Sequence, residues 1–215
     1  MGFAGVILLG SLLLCLPIST RSGEWASYLD ALFTATTSVC VTGLVTQDTG
    51  TYWSLFGQII ILILIQIGGM GVMTVAIMLG LMARRRRFSL MQRNTMQEAI
   101  GGPSLGNIIK LTKFIISVTA ATEIAGAVCM FPVFIQEFGV LKSIWYSVFH
   151  SVSAFCNAGI DLMGAKEQFS SLTSYYGNPV INLVICFLIV FGGIGFLTWD
   201  DMHRYGIKFK RYRLQ

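Results

Sequence analysis

A chain of 215 residues that is 54% hydrophobic and 12% charged has about half the charged fraction of a soluble domain of its length, and its mean hydropathy is +0.72. Too few polar side chains are present to cover a water-facing surface, which excludes a soluble globular domain and points to the bilayer. The net charge of +5 does not signify nucleic acid, because the basic residues cluster in connections between apolar segments.

Residues 2–18 form an apolar run closed by Pro17. With no Lys or Arg before Arg21 and no A-x-A after the run, a spanning helix is preferred to a signal peptide, its natural beginning expected upstream of Met1. Residues 25–38 are semi-apolar; as a helix they extend roughly 21 Å, too short to cross and in the length range of re-entrant segments. Residues 51–83 are one apolar block of about 50 Å at full helical rise, well beyond the ~30 Å hydrocarbon core. A tilt or bend is expected near Gly68, Gly69 and Gly71. Residues 88–106 are polar, with Gly101-Gly102-Pro103 as a breaker. Residues 107–131 are the third span, expected to end at Pro132. Residues 140–155 are a second short segment, and 178–199 the fourth span, which contains Gly192, Gly193 and Gly195.

Arg84, Arg85, Arg86, Arg87, Arg93, Lys110 and Lys113 fall in or beside the central loop, and Arg204, Lys208, Lys210, Arg211 and Arg213 in the tail. Translocation of Lys and Arg is disfavoured, so positive loops stay cytoplasmic. The central loop and both termini are expected inside, and the segments around 19–50 and 132–175 outside. A lipid- or phosphate-binding patch is the alternative use of residues 84–87.

The order is an internal duplication. Phe33, Cys40, Gly43 and Leu44 match Phe149, Cys156, Gly159 and Ile160 at an offset of 116, and Gly68-Gly69-Met70-Gly71 matches Gly192-Gly193-Ile194-Gly195 at an offset of 124. Each copy begins and ends inside, so the repeat is parallel. The expected fold is an all-α membrane protein of two tandem helix–pore loop–helix units, with four transmembrane helices and two re-entrant pore helices. The first unit covers 1–83, a cytoplasmic basic loop 84–106, the second unit 107–200 and a cytoplasmic basic tail 201–215.

Each short helix runs directly into a Gly-containing piece, Cys40-Val41-Thr42-Gly43 and Cys156-Asn157-Ala158-Gly159. Non-helical backbone at membrane depth is tolerated only inside protein or along a wet path. The C-terminal end of each short helix brings about half a negative charge, and the following carbonyls can replace the water around a dehydrated cation. These eight residues are the candidate selectivity filter. Ordinary hairpin loops are the alternative, disfavoured by the matched repetition.

The segments Ser38-Val39-Cys40-Val41-Thr42-Gly43-Leu44, Phe155-Cys156-Asn157-Ala158-Gly159-Ile160-Asp161 and Gln66-Ile67-Gly68-Gly69-Met70-Gly71, with Gln97-Glu98-Ala99 and Gly192-Gly193-Ile194-Gly195-Phe196, resemble the Trk/Ktr/HKT superfamily of potassium transporters, most of all the bacterial Ktr-type pore subunit. The resemblance implies four such units with pseudo-fourfold symmetry around one pore, pairing as dimers, and gating by a cytoplasmic ring of nucleotide-binding regulatory subunits. It implies K+ as transported ion, Na+ as coupling ion, and a filter glycine at Gly43, associated with potassium preference, with Gly159 as its counterpart. Two of the four units are present. The other half is expected from another chain or a second copy; a truncated, non-conducting fragment or assembly partner is the alternative.

Glu123 lies mid-span, where an ionisable group faces protein or water; a coupling-ion or pore role and a structural hydrogen bond both fit. Asn157 fits a side-chain role at the outer filter or a loop cap. Asp161, and Asp48 near the corresponding place in the first copy, fit either a cation-concentrating mouth or solvated loop carboxylates. His150 reads as a packed histidine. The glycine clusters read as close helix packing or hinges, since no strand precedes them. Cys15, Cys40, Cys129, Cys156 and Cys186 lack metal or redox spacing and read as small buried residues. A membrane-embedded enzyme would need a nucleophile–base pair or a metal-ligand cluster such as H-E-x-x-H; H-E-x-x-H is absent, and the chain has two His.

Overall fold

A computed structural model of the chain describes residues 2–71, 105–165, 167–196 and 198–199. The described residues are helical, joined by loops and 3-10 turns. They belong to two compact units, a larger one of residues 2–69 and 122–193 and a smaller one to which the remainder belongs. The basic stretch 84–104 and the tail 201–215 lie outside the described residues.

Helix α1 (Gly2–Cys15) is apolar all round and ends where Pro17 opens a 3-10 turn, Pro17–Ser19. Ser19 ties that turn back by donating its hydroxyl to the Leu13 carbonyl at 2.7 Å. Helix α2 (Tyr28–Cys40) packs along α1. A one-turn helix, α3 (Thr49–Tyr52), precedes α4 (Leu55–Met70), which stops at Gly71 with φ +80°. Helix α5 (Leu105–Phe138) has 34 residues, and α6 (Val140–Phe155) follows after Gly139, whose φ of +72° makes the reversal. Helix α7 (Pro179–Gly193) starts under Asn178, whose side-chain oxygen accepts the N–H groups of Val180 and Ile181 at 3.0 and 3.2 Å. The chain breaks again at Gly195, φ +90°.

Among the described residues one stretch, Thr112–Phe138, is long and apolar enough to cross a membrane; α1, α4 and α7 are apolar but shorter. The expected second span, 51–83, continues past Gly71 into residues outside those described.

Three expectations are corrected. Pro132 lies inside α5 instead of ending it. A spanning helix tolerates the lost N–H donor because neighbouring groups re-satisfy the freed carbonyl. Two residues on, the fully buried Phe134 ring packs against His150 and Tyr175 at centroid distances of 5.6 and 5.5 Å, which holds the continued helix in place. Next, the cysteines are not uniformly buried: Cys156 is, but Cys40, Cys129 and Cys186 are exposed on the chain. An apolar neighbourhood in sequence does not separate burial in protein from an outward-facing helix surface.

Asp48 is the third. It is 4% exposed, not solvated, and it caps α3 by accepting the Thr51 N–H and hydroxyl, each at 2.9 Å. Its other oxygen accepts the Phe169 N–H at 3.0 Å, and the carboxylate lies against Gly164, where no side chain would fit. One carboxylate thus joins segments 121 residues apart. Asp48→Ala removes a cap and charge-assisted hydrogen bonds and is expected to cost roughly 1–3 kcal/mol, read as a lowered thermal unfolding midpoint in detergent. On the same side of the sequence, burial and the Glu137 carboxylate, which accepts the Tyr175 hydroxyl at 2.6 Å, push the Tyr175 phenol above its ordinary range.

Candidate functional site

Helices α2 and α6 end in the same way. After Cys40 the backbone turns left-handed at Val41 (φ +55°) and again at Gly43 (φ +77°); after Cys156 it does so at Asn157 (φ +59°) and Gly159 (φ +68°). In each copy the N–H two residues past the cysteine bonds a carbonyl in the last turn of the helix, Thr42 to Thr37 at 3.0 Å and Ala158 to Ser153 at 2.8 Å. Asn157 and the glycines accept positive φ at low cost. Val41 is β-branched and does not, so its dihedral is imposed by the surrounding structure, including its own N–H bond to the Thr37 carbonyl.

The two loops meet. A β-carbon on Gly43 would stand 2.7 Å from the Ala158 carbonyl oxygen, and one on Gly159 would stand 3.7 Å from the Gly43 Cα. Cys40, Thr42 and Asn157 are exposed, Val41, Gly43 and Asp161 partly so, and Cys156 and Ala158 buried. Behind the second loop a cavity of about 180 Å³ is lined by His150, Ser153, Asn157, Gly159 and Asp161 among others. Asp161 accepts the Met163 N–H at 2.8 Å. His150 is buried, its Nδ1 at 2.7 Å from the Tyr146 carbonyl and its Nε2 accepting the Leu162 N–H at 3.4 Å.

Glycines seat both loops. Gly68 of α4 packs directly on the Val39 carbonyl and Gly192 of α7 on the Phe155 carbonyl, each just before the loop cysteine. Gly69 lies against the Cys156 side chain, and Gly193 faces Asn157 with room to spare. A β-carbon on Gly71 or Gly195 would meet nothing within 4 Å, and these two serve instead as helix breaks with positive φ. The same pairing recurs deeper in the helices, Gly10 against Leu64 and Gly126 against Leu188.

Glu123 is not alone in its span. The Gln66 side-chain amide donates to its two oxygens at 3.0 and 3.3 Å, and the Cys156 thiol lies 3.9 Å from the Gln66 carbonyl oxygen. Ser151 of α6 donates to the Glu123 backbone carbonyl at 2.6 Å. A second cross-link joins Trp145 Nε1 to Gln58 Oε1 at 2.8 Å. Among the described residues no group of three or more His, Cys, Asp or Glu gathers to hold a metal.

Sequence reasoning missed the hydroxyls of Thr37 and Ser153. Thr37 Oγ1 accepts the Leu44 N–H at 3.0 Å and lies 2.6 Å from the Thr42 hydroxyl; Ser153 Oγ donates to the Ile160 carbonyl at 2.6 Å. The available signal was that both are hydroxyl residues at the repeat offset of 116. The glycine pair Gly10 and Gly126 was legible in the same way.

The family model TrkH, described as a cation transport protein, matches residues 8–214. The chain is 43% identical over 204 residues to the potassium/sodium uptake protein NtpJ of Enterococcus hirae, covering 95% of this chain and 44% of that protein. It is 39% identical over 213 residues to the Ktr system potassium uptake protein B of Bacillus subtilis, covering 99% and 46%, and 37% identical over 205 residues to the protein of the same name from Vibrio alginolyticus, covering 95% and 43%. These relatives are transport proteins, not enzymes, and the chain spans a little under half of their length. The chain belongs to the TrkH family of cation transport proteins.

Proposed function

We propose that this chain supplies two of the four walls of a potassium pathway, each wall a short helix and a loop whose backbone carbonyls bind the ion. The observation that carries the reading is the meeting of the two loops at Gly43 and Gly159, with matched left-handed dihedrals on each side. Glycine at these positions lets the backbone aim carbonyls at a shared axis. The C-terminal ends of α2 and α6 add partial negative charge beside the same place, and carbonyl oxygens replace the hydration shell of the cation. The ligands are Cys40, Val41, Thr42 and Gly43 of the first loop and Cys156, Asn157, Ala158 and Gly159 of the second.

In this reading the two helix–loop–helix units lie in the cell membrane with both termini cytoplasmic. The remaining walls come from another polypeptide or a second copy, and the pore subunits pair. A cytoplasmic nucleotide-binding ring regulates them through the basic loop and tail. Sodium serves as coupling ion, in keeping with the name of the Enterococcus relative. Glu123 holds Gln66, and through it α4 and the second loop, instead of binding ions; Asp161 lies at the mouth.

Growth of a bacterial strain lacking its own potassium uptake, at low external potassium, tests the reading. The chain is expressed alone and with the uncovered remainder of the Enterococcus hirae relative. Growth with the remainder is expected. Failure in both settings, with the protein shown to reach the membrane, identifies a non-conducting fragment or assembly partner.

A further inference from the structure

Both loops are pinned from behind by one hydroxyl in the last turn of the short helix, but the two hydroxyls do opposite things. Ser153 donates to the Ile160 carbonyl oxygen at 2.6 Å, which occupies that carbonyl and directs it back toward α6. Thr37, at the equivalent position, accepts from the Leu44 N–H at 3.0 Å, and so leaves the Leu44 carbonyl unclaimed by that hydroxyl. Thr37 also shares a hydrogen with the Thr42 hydroxyl at 2.6 Å, where the second loop has Ala158 and no hydroxyl at all. Ser153 is 3% exposed and Thr37 also 3%, so neither hydroxyl faces the exposed side of its loop.

We infer that Thr37 and Ser153 are positioning residues for cation discrimination: by fixing which loop groups turn inward, they make the two walls unequal. In the first wall the Thr37 hydroxyl orients the Thr42 hydroxyl and holds the Leu44 N–H just past Gly43, while in the second the Ser153 hydroxyl ties back the Ile160 carbonyl just past Gly159. An ion that loses its water needs oxygen ligands of fixed number and distance. A hydroxyl that sets which carbonyls are available therefore changes which cation fits without touching the ion. This inference rests on the reading of the loops as ion-binding walls.

The test compares Thr37→Val, Thr37→Ser, Ser153→Ala and Ser153→Thr with the unaltered chain, each expressed with the remainder of the Enterococcus hirae relative. The readout is the ratio of initial potassium to sodium uptake, which does not depend on how much protein reaches the membrane. Thr37→Val and Ser153→Ala are expected to lower the ratio about two- to tenfold, the range that loss of one hydrogen bond spans. Thr37→Ser and Ser153→Thr, which keep the hydroxyl, are expected to preserve it. An unchanged ratio in Thr37→Val and Ser153→Ala, with only protein abundance or thermal stability reduced, assigns the hydroxyls a purely structural role and overturns the inference while leaving the pathway reading intact. If Gly43→Ser leaves both the ratio and the rate of potassium uptake unchanged, or the unaltered pair takes up no potassium, the pathway reading fails and this inference with it.

Discussion

Gly43→Ser is expected to reduce potassium uptake roughly tenfold or more, since each ~1.4 kcal/mol lost from the stabilisation of the ion is a factor of ten. Two costs fall on the added side chain. The dihedral of +77° disfavours any β-carbon by about 1–2 kcal/mol, and the contact 2.7 Å from the Ala158 carbonyl oxygen adds overpacking of about 1–3 kcal/mol. The neighbour is backbone and cannot rotate aside, so relief comes by moving a carbonyl. Gly159→Ser carries the dihedral cost but meets only an ordinary contact, the Gly43 Cα at 3.7 Å, so its effect is expected to be the smaller of the two. Tracer uptake at equal membrane abundance measures both, and equal effects of the two substitutions would contradict this placement of the loops.

Gly68→Ala and Gly192→Ala are expected to remove folded protein, not merely to slow transport. In each case the new methyl group would occupy the position of a backbone carbonyl, Val39 or Phe155, at the end of a short helix. Overpacking against backbone is at the upper end of the usual range, about 3 kcal/mol, a large share of the ~5–15 kcal/mol that holds a domain together. Gly177→Ala, with nothing within 4 Å and no positive φ, serves as the neutral control. The check is the fraction of monodisperse protein in detergent and its unfolding midpoint. Midpoints for the two helix variants equal to that of the control would show that α4 and α7 do not seat on the loops as described.

The short second helix was legible to the residue: its sequence bounds of 140–155 are those of α6, because Gly139 before it and the Cys-Asn-Ala-Gly loop after it punctuate the chain locally. The first was legible within a few residues for the same reason. The repeat itself could be read from matching residues at fixed offsets, and those offsets carry through to matched contacts, Gly68 on Val39 and Gly192 on Phe155. What could not be read depends on partners far away in sequence. Pro132 looks like a helix end until Phe134 is seen packed against His150 and Tyr175. Asp48 looks like a solvated carboxylate until the Phe169 N–H, 121 residues on, is found against it. Glu123 has two readings in sequence, and its pairing with Gln66 emerges only when spans from the two copies come together. Thr37 and Ser153 escaped notice because hydroxyl residues are common on short helices; only their shared position behind the loops distinguishes them.

The most direct test of the two-loop pathway is tracer rubidium entry into liposomes containing the chain together with the uncovered remainder of the Enterococcus hirae relative, under an inward gradient. Entry that potassium competes more effectively than sodium, and that Gly43→Ser reduces in an assembled complex, is the expected result. Entry that is the same with Gly43→Ser, or absent from a complex shown to be assembled, would contradict an ion path formed where Gly43 and Gly159 meet.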